Sequence, residues 1–176
     1  VIADDLPVKS CMEVVQPGMV VNPADGLPEL PRVEQTPDMA PIQQIDIPVL
    51  IIGGGPAGLS AAIELGKRGV RAILIDDKAR LGGKLVLQTH RFFGSTNAVY
   101  AGTRGIDIAT RLEKDLRSYP TIDIWLHSTA LAVFSDQKIG VLRESSEYVV
   151  INPKVVLVAS GAREKFLSFK GNTLPG

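Results

Sequence analysis

From Ile47 onward the apolar positions follow two rhythms, one of two residues and one of three to four. Val49–Ile52 is a run of branched apolar residues and predicts a buried strand. After a glycine-rich break, Leu59, Ala62, Ile63 and Gly66 fall at i, i+3, i+4 and i+7. That spacing predicts a helix from about Pro56 to Arg68 with one face for a sheet, and Gly69 supplies a C-terminal stop. Ala72–Ile75 repeats the strand pattern. Ile108, Leu112 and Leu116 form one stripe of a second helix, from about Gly105 to Ser118, with Pro120 marking its end. Ile122–Leu126 reads as a strand. The short runs Ala130–Phe134, Ile139–Arg143 and Glu147–Ile151 are separated by Ser135-Asp136 and Glu144-Ser145-Ser146, and they predict a β-meander. Val155–Ala159 is apolar throughout and predicts a strand buried on both faces.

Upstream the rhythm fails. Eight of the 12 prolines lie within the first 48 residues, and Asn22 to Pro48 shows little periodicity. The organisation expected is a short N-terminal segment (1–21), a Pro-rich connector (22–46) and an α/β domain (47–176).

The chain of 176 residues is long enough for one domain with a sizeable core, and 45% hydrophobic with 22% charged residues is ordinary for a globular protein. A formal net charge of zero gives no reason to expect nucleic acid or an anionic membrane surface as a partner. No apolar run approaches the roughly 20 residues of a membrane span. The opening VIADDLPVKS carries acids and lacks the apolar core of a signal peptide. One cysteine excludes an internal disulfide and fits a reducing cytoplasm. Val1 is not an initiator Met, and Asn172-Thr173-Leu174-Pro175-Gly176 reads as the start of a new segment, so a piece of a longer polypeptide is expected.

The break between the first strand and helix is Gly53-Gly54-Gly55-Pro56-Ala57-Gly58, or G-x-G-x-x-G, and Asp76 follows Gly58 by 18 residues at the end of the next strand. Strand, glycine turn, helix, strand and acid together make the context a dinucleotide site requires. Gly53 allows the tight turn, Gly55 lets a pyrophosphate approach the backbone, and Gly58 lets helix and strand pack closely. The amides and positive dipole end of the helix favour phosphate. A carboxylate at Asp76 can accept ribose hydroxyls and disfavours a 2′-phosphate, so NADP is not expected in this turn.

Three further landmarks accompany the turn. Leu81-Gly82-Gly83 follows Asp76 as in E-x5-G-G, Ala130 sits in Ser128-Thr129-Ala130-Leu131, and Val158-Ala159-Ser160-Gly161-Ala162-Arg163 reads as A-T-G-A-R with Ser160 in place of Thr. With these, residues 47–176 resemble the FAD-binding half of the pyridine nucleotide-disulfide oxidoreductase superfamily, the flavoproteins with two dinucleotide-binding domains. The resemblance implies a three-layer Rossmann-like FAD domain: parallel sheet, helices on one side, β-meander on the other. It implies that Gly53, Gly55, Pro56, Ala57 and Gly58 hold the pyrophosphate. Asp76 would bind the adenosine ribose, with Asp77 beside it in the cofactor-binding set. Gly82, Gly83 and Lys84 would pass near the ribityl chain and phosphates, Ala130 would meet the adenine, and Ser160 and Gly161 would complete the set. It favours FAD over the alternative, NAD in the same turn. Gln88-Thr89-His90 would lie near the isoalloxazine, and Phe92-Phe93-Gly94 resembles the F-P-G turn of thioredoxin-reductase-like members. The C-x4-C redox pair of one branch is missing: Lys84 to Gly94 holds no cysteine, so thiol–disulfide chemistry is not expected there. No second G-x-G-x-x-G is present for an NAD(P)H domain.

Leu6-Pro7-Val8-Lys9-Ser10-Cys11 followed by Gly18-Met19-Val20-Val21 resembles the tail of a plant-type [2Fe–2S] domain, with Cys11 as an orphan ligand. The other three thiolates are absent, so this chain alone cannot hold that cluster. The second reading of Cys11 is a small buried hydrophobe. Taken with Gln88-Thr89-His90, Phe92-Phe93-Gly94 and Ala101-Gly102-Thr103-Arg104-Gly105-Ile106-Asp107, the tail resembles the large subunits of sarcosine-oxidase-like, opine-oxidase-like and hydrogen-cyanide-synthase-like enzymes.

Other side chains carry less. His90 reads either as a flavin-side hydrogen-bond donor or as a polar loop residue. His127 is expected exposed and Trp125 in the core; Lys78 and Arg80 either contact the adenosine side or are solvated. Asp76-Asp77 has no further ligands to make a metal site. The function expected is an FAD-dependent oxidoreductase passing electrons between NAD(P)H or an amine and a partner redox centre, in a hetero-oligomer. The alternative is a non-catalytic FAD-holding relay or assembly subunit.

Overall fold

The computed structural model of the chain describes residues 1–26, 41–162 and 167–172, which divide between two compact units, Val1–Ala40 and Pro41–Gly176. Most of the expected connector, Arg163 of the A-T-G-A-R element and the last four residues lie outside the described residues.

In the first unit β1 (Ile2–Ala3), β2 (Leu6–Pro7) and β3 (Val21–Asn22) form an antiparallel sheet in the order β2-β1-β3. Asp4 closes it: its amide donates to the Val20 carbonyl and its Oδ1 accepts the Val20 N–H, both at 3.0 Å. Cys11 is exposed, so it is not the buried hydrophobe that one reading expected.

The second unit opens with β4, which runs Gln43–Ile52 and so begins before the expected start near Ile47. Then come α1 (Pro56–Lys67), β5 (Ala72–Ile75), a 3-10 turn at Gly83–Leu87, α2 (Thr96–Val99), α3 (Gly105–Leu116), β6 (Ile122–Trp125), β7 (Ser128–Val133), β8 (Ile139–Arg143) and β9 (Glu147–Val158). The six strands pair in the order β6-β5-β4-β9-β8-β7. β6, β5, β4 and β9 are parallel neighbours; β7, β8 and β9 are the antiparallel meander.

Two expected strands are one. Glu147–Ile151 and Val155–Ala159 join through Pro153 into β9, which pairs with β4 along both halves. Pro153 lies beyond the last pair with β8, Ile139↔Ile151, where no ladder on that flank needs its missing N–H. In β4, Pro48 likewise precedes the first pair with β5, Val49↔Ala72. The two prolines thus mark the level at which the meander half of the sheet gives way to the parallel half. The same boundary corrects the expected burial of the last strand: with β8 gone, Val155 and Val158 are exposed, at 57% and 70%.

Alternation along β4 and β5 feeds two cores. Ile51, Ala72 and Leu74 face α1 and α3, where Leu59, Ala62, Ile63, Ile108, Leu112 and Leu116 pack on them. Leu50, Ile73 and Ile75 face the other way, onto Ile139, Val141, Val149 and Ile151 of the meander. The helices and the meander therefore cover opposite faces, as the three-layer expectation requires. Trp125 is half-buried in the second core, and the Arg143 guanidinium lies 4.1 Å from its ring centroid.

Candidate functional site

The glycine turn is held from every side by backbone. The Gly53 N–H donates to the Ile75 carbonyl (2.8 Å), the Ala159 N–H to the Ile52 carbonyl (2.7 Å) and the Gly82 N–H to the Gly54 carbonyl (2.8 Å). These bonds tie the end of β4 to β5, to the end of β9 and to the Leu81-Gly82-Gly83 turn. The packing leaves no room for side chains. A Cβ on Gly58 would lie 1.9 Å from the Gly53 carbonyl oxygen, and one on Gly53 would lie 2.4 Å from that of Ala159. Gly53 also has φ +108°, a region that favours glycine. Gly55 differs: a Cβ there would meet nothing closer than the Gly83 Cα at 4.0 Å. It faces open space.

That space is a cavity of about 850 Å³, within the size range of ligand sites. Of the expected residues, Gly53, Gly55, Pro56, Ala57, Asp76, Asp77, Gly83, Lys84, Ser160 and Gly161 line it. Lys78 and Arg80 do too, so the charged wall holds three cations and two carboxylates. Gly58 and Gly82 sit behind this wall: Gly58 brings α1 against the turn, and Gly82, at φ +116°, packs against Ala109 of α3. Ala130 is in β7 against the meander core, outside the wall. His90 is exposed and stacks on Phe92 with ring centroids 5.4 Å apart, also outside it. Cys11 belongs to the other unit.

The helix entering the cavity is built to receive an anion. α1 starts with Pro56 at its first turn, has no side-chain cap at Gly55 and no acid in that turn. Its first amides thus have no side-chain acceptor, and its dipole end is not neutralised. Asp76 is buried: its Oδ2 accepts the Gly54 N–H at 2.6 Å and its Oδ1 the Lys78 N–H at 2.9 Å. Asp77 is exposed and ion-pairs with Lys78 at 2.5 Å. An uncapped helix, a turn open only at Gly55 and a cationic rim fit the diphosphate of a dinucleotide.

The profile of the pyridine nucleotide-disulphide oxidoreductase family matches residues 47–175. The chain belongs to that family. Hydrogen cyanide synthase subunit HcnB of Pseudomonas protegens is 33% identical over 128 residues, covering 72% of this chain and 27% of that protein. Sarcosine oxidase subunit alpha of Rhizobium meliloti is 29% identical over 171 residues, covering 89% of this chain and 16% of that protein. Among solved structures, L-proline dehydrogenase from P. horikoshii superposes with a TM-score of 0.66 at 29% identity, over 78% of this chain and 27% of that one. The chain spans about a quarter of HcnB and of the proline dehydrogenase chain, and less of the sarcosine oxidase subunit. Membership agrees with the Rossmann-like FAD-binding fold, and FAD and NAD(P) both fit the family.

Val86, Leu87, Val158 and Ala162 also line the cavity and were not expected there. A signal for the first two existed: in Gly83-Lys84-Leu85-Val86-Leu87 only Leu85 goes fully to the core, and three apolar residues in a 3-10 turn cannot all face one way. Val158 reads as an ordinary strand residue, and only the end of the meander's cover exposes it. No group of three or more potential ligands that could hold a metal ion occurs among the described residues, and no described helix is long and apolar enough to cross a membrane.

Proposed function

We propose that this chain supplies the FAD-binding part of an oxidoreductase that passes electrons between NAD(P)H or an amine-type substrate and a partner redox centre. The observation that carries it is the cradle: a glycine turn with room for close approach at Gly55, which runs directly into an uncapped helix start beside a cavity edged by Lys78, Arg80 and Lys84. Bound FAD would supply the two-electron chemistry. The chain's own contribution is binding and orientation. Gly55 and the amides at the start of α1 take the diphosphate, Gly83 and Lys84 border the path of the ribityl chain, and Ser160 and Gly161 line the opposite wall. Val86 and Leu87 give that path an apolar side. Ala130 stays the proposed adenine contact, and His90 the proposed flavin-side donor.

An amine-type substrate is supported by relatives named for sarcosine and L-proline, and a partner subunit by two relatives named as subunits. A [2Fe–2S] partner centre rests on the Cys11 segment, and a cytoplasmic setting on the single cysteine. The relay reading keeps one observation in its favour: His90, expected near the flavin ring, is exposed, and Phe93 close by is 92% exposed.

A visible spectrum of the purified protein, with released cofactor identified by mass, tests the proposal. Flavin bands near ~450 nm and the mass of FAD are expected, with bleaching on anaerobic addition of NADH, sarcosine or L-proline. Flavin that stays oxidised with every donor moves the assignment to the relay, and a colourless full-length protein ends the flavin reading.

A further inference from the structure

The charges of this chain balance in number but not in place. Residues 78–106 hold five Lys and Arg and no Asp or Glu, which leaves 14 cations against 19 acids elsewhere. Three of the five, Lys78, Arg80 and Lys84, edge the cavity. The other two, Arg91 and Arg104, stand opposite each other at the bridge that closes the segment after it. Like charges placed opposite one another destabilise a strand pair, so this arrangement costs the fold. Arg111 of α3 joins them at one carboxylate: Arg104 bonds Asp107 at 2.7 and 3.0 Å, and the positive charges of Arg111 and Arg91 also act on it. Apolar surface lies among these cations. Phe93 is 92% exposed and Val99 42%, and a Cβ on Gly94 would lie 3.5 Å from Val99 Cγ2, so Val99 packs beside the residue that follows Phe93. Backbone bonds fix the patch in shape: the Phe92 N–H donates to the Thr103 carbonyl, the Gly102 N–H to that of Phe92, and the Arg91 guanidinium to that of Gly102. The Gln88 carbonyl accepts the Ile106 N–H at 3.2 Å, which sets the patch beside Leu87 of the cavity wall.

We propose that the segment from Gln88 to Arg104, together with Arg111, is the docking surface for the partner protein, and that the partner meets it with an acidic face around an apolar centre. This rests on the proposed function and deepens it by giving the surface chemistry of the partner. Arginine and aromatic side chains are what protein interfaces enrich, and acids are what they deplete. The arginines steer an acidic face toward the cavity side of the molecule and set its orientation. Phe93 supplies the apolar contact that holds it there. A bare polyanion would use the arginines and leave Phe93 idle, so the aromatic ring separates a protein partner from nucleic acid.

The test titrates the purified protein with a fluorescent peptide of Asp and Glu flanking a Leu-Trp centre. Arg91→Gln with Arg111→Gln is expected to weaken the peptide about tenfold at low salt, and Arg111→Gln alone about threefold. About 1 M salt is expected to remove both differences. Phe93→Ser is expected to weaken the peptide severalfold, and Lys154→Gln, an exposed cation on β9, to leave it unchanged. FAD uptake and melting are expected at the wild-type level in every variant. Arg111→Gln and Phe93→Ser decide the matter should the loss of the Arg91 bond to Gly102 disturb folding. Peptide binding that ignores the arginines overturns the proposal, as does binding that Lys154→Gln weakens equally. Poly-glutamate, single-stranded RNA or phosphatidylserine vesicles bound as tightly as the peptide, and indifferent to Phe93→Ser, also overturn it. Loss of FAD uptake in Arg111→Gln overturns it by giving that arginine to the cofactor. FAD uptake without peptide binding overturns this proposal alone. A wild-type chain that takes up no FAD overturns the proposed function, while the arginine dependence of peptide binding still decides the surface.

Discussion

The glycine turn and the segment from Gln88 to Arg104 are both irregular and glycine-containing, yet they are built in opposite ways. In the turn, added Cβ atoms at Gly53, Gly54 and Gly58 would meet atoms within 2.4 Å, and backbone bonds reach β5, β9 and the turn after β5. In the later segment a Cβ on Gly102 would meet nothing within 4 Å and Phe93 is 92% exposed, and the bonds that cross it, from Arg91 and Phe92 to Gly102, Thr103 and Arg104, close the segment on itself rather than on the sheet. The chain's own packing therefore specifies the end of the cavity suited to a diphosphate. The expected ring end is held mainly by bonds within its own segment, with Phe92 and Tyr100 packed on the helix-side core, and segments with more exposed backbone bonds open at lower cost.

Breaking the first region should have the largest effect. Gly58→Ala forces a methyl group into the Gly53 carbonyl, and unfolding measurements should show a loss of about 3 kcal/mol or more. Gly55→Ala sharpens the contrast within the same turn. Its φ of −73° suits alanine and its Cβ has room, so stability should fall by less than about 1 kcal/mol. The methyl group would nonetheless occupy the ligand's approach, and FAD titration should show affinity reduced about tenfold or more. A G55A protein that binds FAD normally would place the diphosphate elsewhere.

In the second region Phe93→Ser should change stability by no more than about 0.5 kcal/mol, as exposed positions do. If melting shows a larger loss, the segment is more tightly held than its exposure indicates. The smallest effect belongs to the entry of α3. There the Arg104 guanidinium, bonded to Asp107 at 2.7 Å, holds that carboxyl below its ordinary range. A carboxyl lowered in the folded state stabilises above its unfolded pKa, and that stability is lost as pH falls through the folded value. Asp107→Asn should therefore remove a slight acid-side slope in melting temperature, one that 1 M salt also removes because the pair is exposed.

Much of the diphosphate end is legible along the chain because its requirements are local. Gly53, Gly55 and Gly58 mark a turn, a ligand approach and a helix contact within six residues, and the stripe Leu59, Ala62, Ile63 identifies the face that α1 buries. The bounds of β8, Ile139–Arg143, also follow from a short apolar run set between the turn residues Ser135-Asp136 and Glu144-Ser145-Ser146. Less of the wall was legible. The joining of two β runs through Pro153 depends on where the neighbouring strand stops, and the exposure of Val155 and Val158 has the same cause.

By itself the sequence determined the α/β order, the helix and strand faces and the position of a dinucleotide turn, because periodicity and glycine placement act over a few residues. Tertiary structure alone decided which carboxylate of Asp76-Asp77 is buried against Gly54 and which is exposed and paired with Lys78 at the cavity, since the two are alike in sequence and differ only in what lies across from them. It also decided that Val86 and Leu87 join the wall while Ala130 and His90 stay outside it. Those outcomes depend on contacts between segments far apart in the chain, which a local pattern does not carry.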